Sequence, residues 1–92
     1  MENERLDQQI EADAETSEAV FLATVREALS NGIARGIRVE AGLSLAEAAP
    51  AGGTSAPVLS RWESGKVRPR KKAALRYGHF LVELNGLKGL LQ

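Results

Sequence analysis

The sequence predicts an all-α fold built around two short helices joined by a glycine-containing turn. Three observations carry that prediction. No segment of the 92 residues alternates apolar and polar side chains with the period of a strand, and no unit repeats. Apolar residues recur instead at helical spacing, as in the series Phe21, Val25, Leu29, Ile33, Ile37. The stretch 42–70, GLSLAEAAPAGGTSAPVLSRWESGKVRPR, then holds two helix starts, a proline stop, a glycine stop and a basic loop in close succession.

Residues 1–17 are polar, acidic and almost free of apolar periodicity, and read as a flexible arm or a frayed helix. Thr16 or Ser17 is placed to cap a helix over 18–30 whose apolar face is Phe21, Val25, Ala28 and Leu29. Asn31-Gly32 is a stop signal for that helix. The apolar series is equally compatible with one helix through Ala41. Gly32 and Gly36 favour a break or a kink, since each costs about 1 kcal/mol relative to Ala inside a helix.

Gly42 closes this segment, and Ser44-Leu45-Ala46-Glu47 fits a capping box for the next helix. Pro50 keeps that helix short, because it lacks an N–H and clashes one turn back. Residues 50–55 form the turn. Thr54 or Ser55 is expected to cap a second helix, Ala56 to Ser64, with Pro57 in its tolerant first turn and Leu59 and part of Trp62 buried. Gly65 stops it and Val67-Arg68-Pro69 forms a loop. A further amphipathic helix is expected over 73–84 with Leu75, Leu81 and Val82 inward, followed by a short apolar turn over 86–91.

Net charge is zero, but it is unevenly distributed. Residues 1–18 hold seven acids and one base, a net −6, whereas residues 60–92 hold eight bases and two acids, a net +6. Five of those bases lie between Lys66 and Lys72. Such a run is either a solvated loop or a footprint for an anionic partner. Its position behind a candidate recognition helix points to phosphate. Two helices, a turn and a basic loop are the parts of a helix-turn-helix reader of DNA, in their usual order.

These residues also carry a family resemblance. Arg38, then Ala41-Gly42-Leu43-Ser44-Leu45-Ala46-Glu47-Ala48-Ala49, then Leu59-Ser60-Arg61-Trp62-Glu63-Ser64-Gly65 and Pro69, resemble the Xre/Cro/cI-type helix-turn-helix family over roughly residues 30–84. The resemblance implies a compact bundle of about five helices, here with an extra N-terminal helix, whose third family helix reads the major groove. It implies a buried structural ion pair between Arg38 and Glu63. It implies a phosphate contact at Ser44 and Leu45, and a DNA-facing stretch at Thr54, Ser55, Ala56 and Pro57. Of that stretch, Ser55 brings a hydrogen-bonding side chain, while Ala56 and Pro57 can touch a thymine methyl. Ser60 and Arg61 follow one turn along, Arg61 being the best candidate for a bidentate contact to guanine. Lys66, Arg68, Arg70 and Lys71 are expected on phosphates, where they position without specifying. Pro50 and Gly52-Gly53 depart from the family pattern and imply an altered or longer turn. The acidic extension is a second departure.

Other chemistry has little support. Without cysteine there is no disulfide or thiolate metal site, and the single histidine, His79, cannot build a histidine cluster. Ser60 has no base at a plausible position, and no Gly-Lys-Ser/Thr follows the paired glycines, so neither an enzyme nor a cofactor site is expected. Trp62 reads as core rather than a base-stacking platform. No stretch approaches about 20 apolar residues and no leader pattern opens the chain, so a cytoplasmic protein is expected.

The expected function is a dimeric repressor on a palindromic operator. Leu87, Leu90 and Leu91 are a candidate dimer surface, and concentration, partner binding or degradation would provide the control. The competing reading is an antitoxin-like interaction module that uses the acidic segment and helix 18–30, with DNA binding as autoregulation.

Overall fold

Gly32 decides the layout of the first half of the chain. The structure, a computed structural model, describes the backbone of residues 17–91 and the side chains of residues 17–86. Helix α1 spans residues 17–30 and stops at Asn31-Gly32. Gly32 takes φ 92°, a left-handed conformation that side-chain-bearing residues rarely adopt. Asn31 Oδ1 then accepts from the Ile33 N–H at 3.0 Å and starts α2, Ile33–Glu40. The apolar series is therefore divided between two helices. Ile33, read from spacing as part of the inward stripe, is 58% exposed, because the break re-aims α2 so that Ala34 and Arg38 face inward.

The next elements are short. Helix α3 is Leu45–Ala48, and a single turn of 3-10 helix, Ala49–Gly52, continues it. Pro50 sits in the first turn of that 3-10 segment, where no donor is required. The linker expected over 50–55 is thus partly ordered as a tighter helix. Helix α4, Ala56–Glu63, follows, and then α5, Lys71–Leu91. The described residues contain no strand.

Helix α5 is longer than the sequence suggested. It starts at Lys71 rather than Ala73 and runs without interruption through Gly86, so the separate apolar turn over 86–91 does not exist. A glycine in a helix costs only about 1 kcal/mol, which is too little to end one that lacks a proline. The inward stripe of α5 is Ala74, Tyr77 and Leu81, while Val82 is 60% exposed and points away from the core.

The core joins all these elements. Val25 and Leu29 of α1, Ala34 of α2, Ala48, Ala49, Leu59 and Trp62 meet Ala74, Tyr77 and Leu81 of α5. Trp62 packs edge-on to Tyr77 at 6.0 Å between ring centroids. Two glycines allow close approaches within the core. A Cβ on Gly52 would lie 3.1 Å from Trp62, and one on Gly78 would collide with Val25 Cγ2 and lie 3.0 Å from Phe21 Cζ. Helix α1 is therefore part of the folded body, with its apolar face spent on α5. The acidic segment of residues 1–16 and the side chains of Leu87, Leu90 and Leu91 lie outside the described residues.

Candidate nucleic-acid interface

Helix α4 has two unlike faces. Leu59 and Trp62 are buried against the core, whereas Pro57, Ser60, Arg61 and Ser64 are all exposed. That spacing of three, four and seven residues puts the exposed four on one stripe along the helix. Ser55 is the N-cap residue by its extended backbone, yet its hydroxyl makes no capping bond. The expected side-chain cap by Thr54 or Ser55 is absent, and Pro57 in the first turn reduces the number of donors that need one. Ser55 is exposed, while Thr54 and Ala56 are half-buried beside it.

A buried ion pair fixes where this stripe points. Arg38 Nε donates to Glu63 Oε2 at 2.7 Å and Nη2 donates to Oε1 at 2.8 Å, a two-pronged geometry. Arg38 Nη1 also donates to the Leu43 carbonyl at 2.8 Å. One side chain thus ties α2, the loop before α3 and the end of α4 together. The hydrogen bond to Glu63 raises the Arg38 pKa above its ordinary value despite desolvation. The phenol of Tyr77 lies close enough to feel both charges. Burial chiefly, with Glu63 adding, pushes it up to about 12.

The start of α3 is closed by its own side chains. Ser44 Oγ accepts from the Glu47 N–H at 3.1 Å, and Glu47 Oε1 accepts from the Ser44 N–H at 2.9 Å. The Ser44 backbone N–H and hydroxyl together hold the Glu47 carboxyl below the usual carboxylate range. An anion approaching here meets a carboxylate first. The donors left to it are the first backbone N–H groups of α3, at half-buried Leu45 and exposed Ala46.

The basic loop is anchored at one point. Arg26 of α1 donates from Nε and Nη2 to the Pro69 carbonyl at 3.1 and 3.0 Å, and Pro69 itself is buried. Around that anchor Lys66, Arg68, Arg70 and Lys72 are exposed. Lys71 Nζ lies 2.7 Å from Glu18 Oε1, with both side chains solvent-accessible. A groove of about 420 Å³ runs between α1 and this loop, lined among others by Arg26, Leu29, Trp62, Val67, Arg68 and Pro69.

Sequence reasoning passed over Arg76. Its guanidinium rests on the turn before α4, since a Cβ built on Gly53 would fall 2.7 Å from Arg76 Nη1. The available signal was the i,i+4 spacing from Lys72, which places both on one side of α5. His79 stacks on Phe21 at 4.9 Å, and no group among the described residues is arranged to hold a metal ion. No helix among them is long and apolar enough to cross a membrane.

A short helix with one face in the core, an exposed polar stripe on the other and a basic loop behind it defines a helix-turn-helix module for DNA. The helix-turn-helix family model matches residues 35–81, from α2 into α5 and just over half of the chain. The chain belongs to this family, the Xre/Cro/cI type, and is a DNA-binding regulator of that kind. No curated protein and no solved structure matches it.

Proposed function

We propose that this protein is a sequence-specific transcriptional repressor that binds a palindromic operator as a homodimer in the cytoplasm. The observation that carries the reading is the exposed stripe Pro57, Ser60, Arg61 and Ser64 on a helix whose opposite face is locked in the core. In this reading α4 enters the major groove, Arg61 reads guanine, and Ser55 and Ser60 supply shorter hydrogen bonds. Ala56 and Pro57 touch thymine methyls. Lys66, Arg68, Arg70 and Lys71 bind phosphates, and Arg76 adds a charge over the turn. Base-reading groups are few, so the shape of the DNA contributes to selectivity. Exposed Val82, with Leu87, Leu90 and Leu91 following it in the sequence, motivates α5 as the dimer surface.

The test is selection of bound sites from random duplex DNA at a stated salt concentration. The expected product is an inverted repeat with half-sites about one helical turn apart. Arg61→Ala should lose preference for the selected site over random DNA by about 1–3 kcal/mol. Lys66→Ala should weaken both about equally. Recovery of no common site, or an equal loss of specific and random binding on Arg61→Ala, counts against the reading. A partner-binding module built on α1 is less favoured, because its apolar residues Phe21, Val25 and Leu29 pack into the core.

A further inference from the structure

We propose that the acidic residues 1–16 dock on the basic surface of their own chain and compete there with DNA. The inference rests on the DNA-binding reading for its consequence, though not for the docking itself. The surface is the run Lys66, Arg68, Arg70, Lys71 and Lys72 together with the adjoining groove between α1 and the loop 65–69.

Where the segment leaves the fold is the first argument. Residue 17 begins α1, and Glu18, one residue on, is already 2.7 Å from Lys71. The chain therefore enters the described structure beside a cation of the run. The exposed Glu18–Lys71 pair contributes little energy by itself, and its value here is as a fix on position.

Charge is the second argument. Residues 1–16 hold six acids and one base, a net −5, and residues 66–72 hold five bases and no acid, a net +5. Reach is the third. Sixteen residues span at most about 55 Å, and no cation of the run lies more than about 20 Å of chain from Lys71. A short tether gives an effective concentration in the millimolar range, so a weak contact is enough to occupy the surface. The groove supplies what charge alone lacks. It offers Val67, which is 44% exposed at its edge, to an apolar residue, and the segment has Leu6 and Ile10 among its acids. DNA and the segment would then draw on the same cations, and each would displace the other.

The test compares the full chain with a full-length variant carrying Glu2→Gln, Glu4→Gln, Asp7→Asn, Glu11→Gln, Asp13→Asn and Glu15→Gln. Both are titrated with a short random-sequence duplex at about 50 and about 200 mM salt. The variant should bind at least about tenfold tighter at the lower salt, with the gap shrinking at the higher. In parallel the unaltered chain is treated with a carbodiimide, which joins a carboxylate to an amine in direct contact. Amides from residues 2–15 to Lys66, Lys71 or Lys72 within one chain, lost when duplex is added, are expected. Equal affinities at low salt, absence of such amides, or amides only between two chains overturn the proposal. If neither protein binds DNA, the DNA-binding reading fails, and the coupling pattern still decides whether the segment docks.

Discussion

Tyr77 carries a titratable group into the core. It is fully buried, its hydroxyl has no hydrogen-bond partner among the described groups, and its phenol is pushed from 10.0 up to about 12. The unfolded chain releases this proton near the ordinary value and the folded chain higher. Between the two the unfolded state binds fewer protons, so stability falls as pH rises, by up to about 1.4 kcal/mol per unit. Below that window the residue contributes no pH dependence. Tyr77→Phe removes this unpaired hydroxyl, so it should stabilise at neutral pH by about 1–3 kcal/mol and flatten the alkaline loss. Urea unfolding at about pH 9 and about pH 11 checks this. As Tyr77 is the only tyrosine, phenolate absorbance follows it directly. Its neighbours behave differently. Arg38 and Glu63 are 8% and 5% exposed at their side chains, so Glu63→Ala leaves a buried cation unpaired and should cost about 3–5 kcal/mol. The double change Arg38→Met, Glu63→Leu should cost much less than the two single changes added, as a denaturation cycle would reveal. The resemblance suggested the Arg38–Glu63 pair from the sequence. The place of Tyr77 beside it was not legible, because nothing local to residue 77 indicates which helix end it will face.

Helices were legible where the chain carries its own stop and start signals. The capping box at Ser44 and the left-handed glycine after α4, Gly65 at φ 75°, depend on residues within a turn of each other and appear as the sequence implies. Gly32, which left two layouts open, and the extent of α5 depend on packing between distant segments. So does the meaning of the helical glycines. In the sequence Gly36 and Gly78 look alike, as helix interiors weakened by about 1 kcal/mol each. In the structure a Cβ on Gly36 meets nothing within 4 Å, while one on Gly78 strikes Val25 and Phe21 of α1. Gly36→Ala should thus stabilise by up to about 1 kcal/mol, and Gly78→Ala should destabilise by about 1–3 kcal/mol. In a domain of this size each kcal/mol moves the melting temperature by about 4–8 °C, so the two shifts should be resolved and opposite in sign. A loss of stability in Gly36→Ala would mean that α2 does not stand free on that side.

Across the whole molecule the governing quantity is the separation of charge, which sequence counting captured and folding then concentrated. Buried Pro69, held by Arg26, draws the loop onto α1 and turns Lys66, Arg68 and Arg70 outward. Counting could not show that Lys71 is already engaged with Glu18, or that Arg76 overlies the turn before α4. The salt dependence of DNA binding measures how many of these charges matter. Each phosphate neutralised contributes about −0.9 to the slope of log affinity against log salt concentration. Four contacts per protomer, from Lys66, Arg68, Arg70 and Lys71, give about −3.6 for one chain and about −7 for a dimer on a palindrome. Substitution separates these cases without any measurement of mass. Lys66→Ala should make the slope shallower by about 0.9 if one chain binds, and by about 1.8 if two chains bind together. A slope near −7 that Lys66→Ala leaves unchanged would place the phosphate contacts elsewhere, and the exposed cations beside α4 would then lose their proposed role.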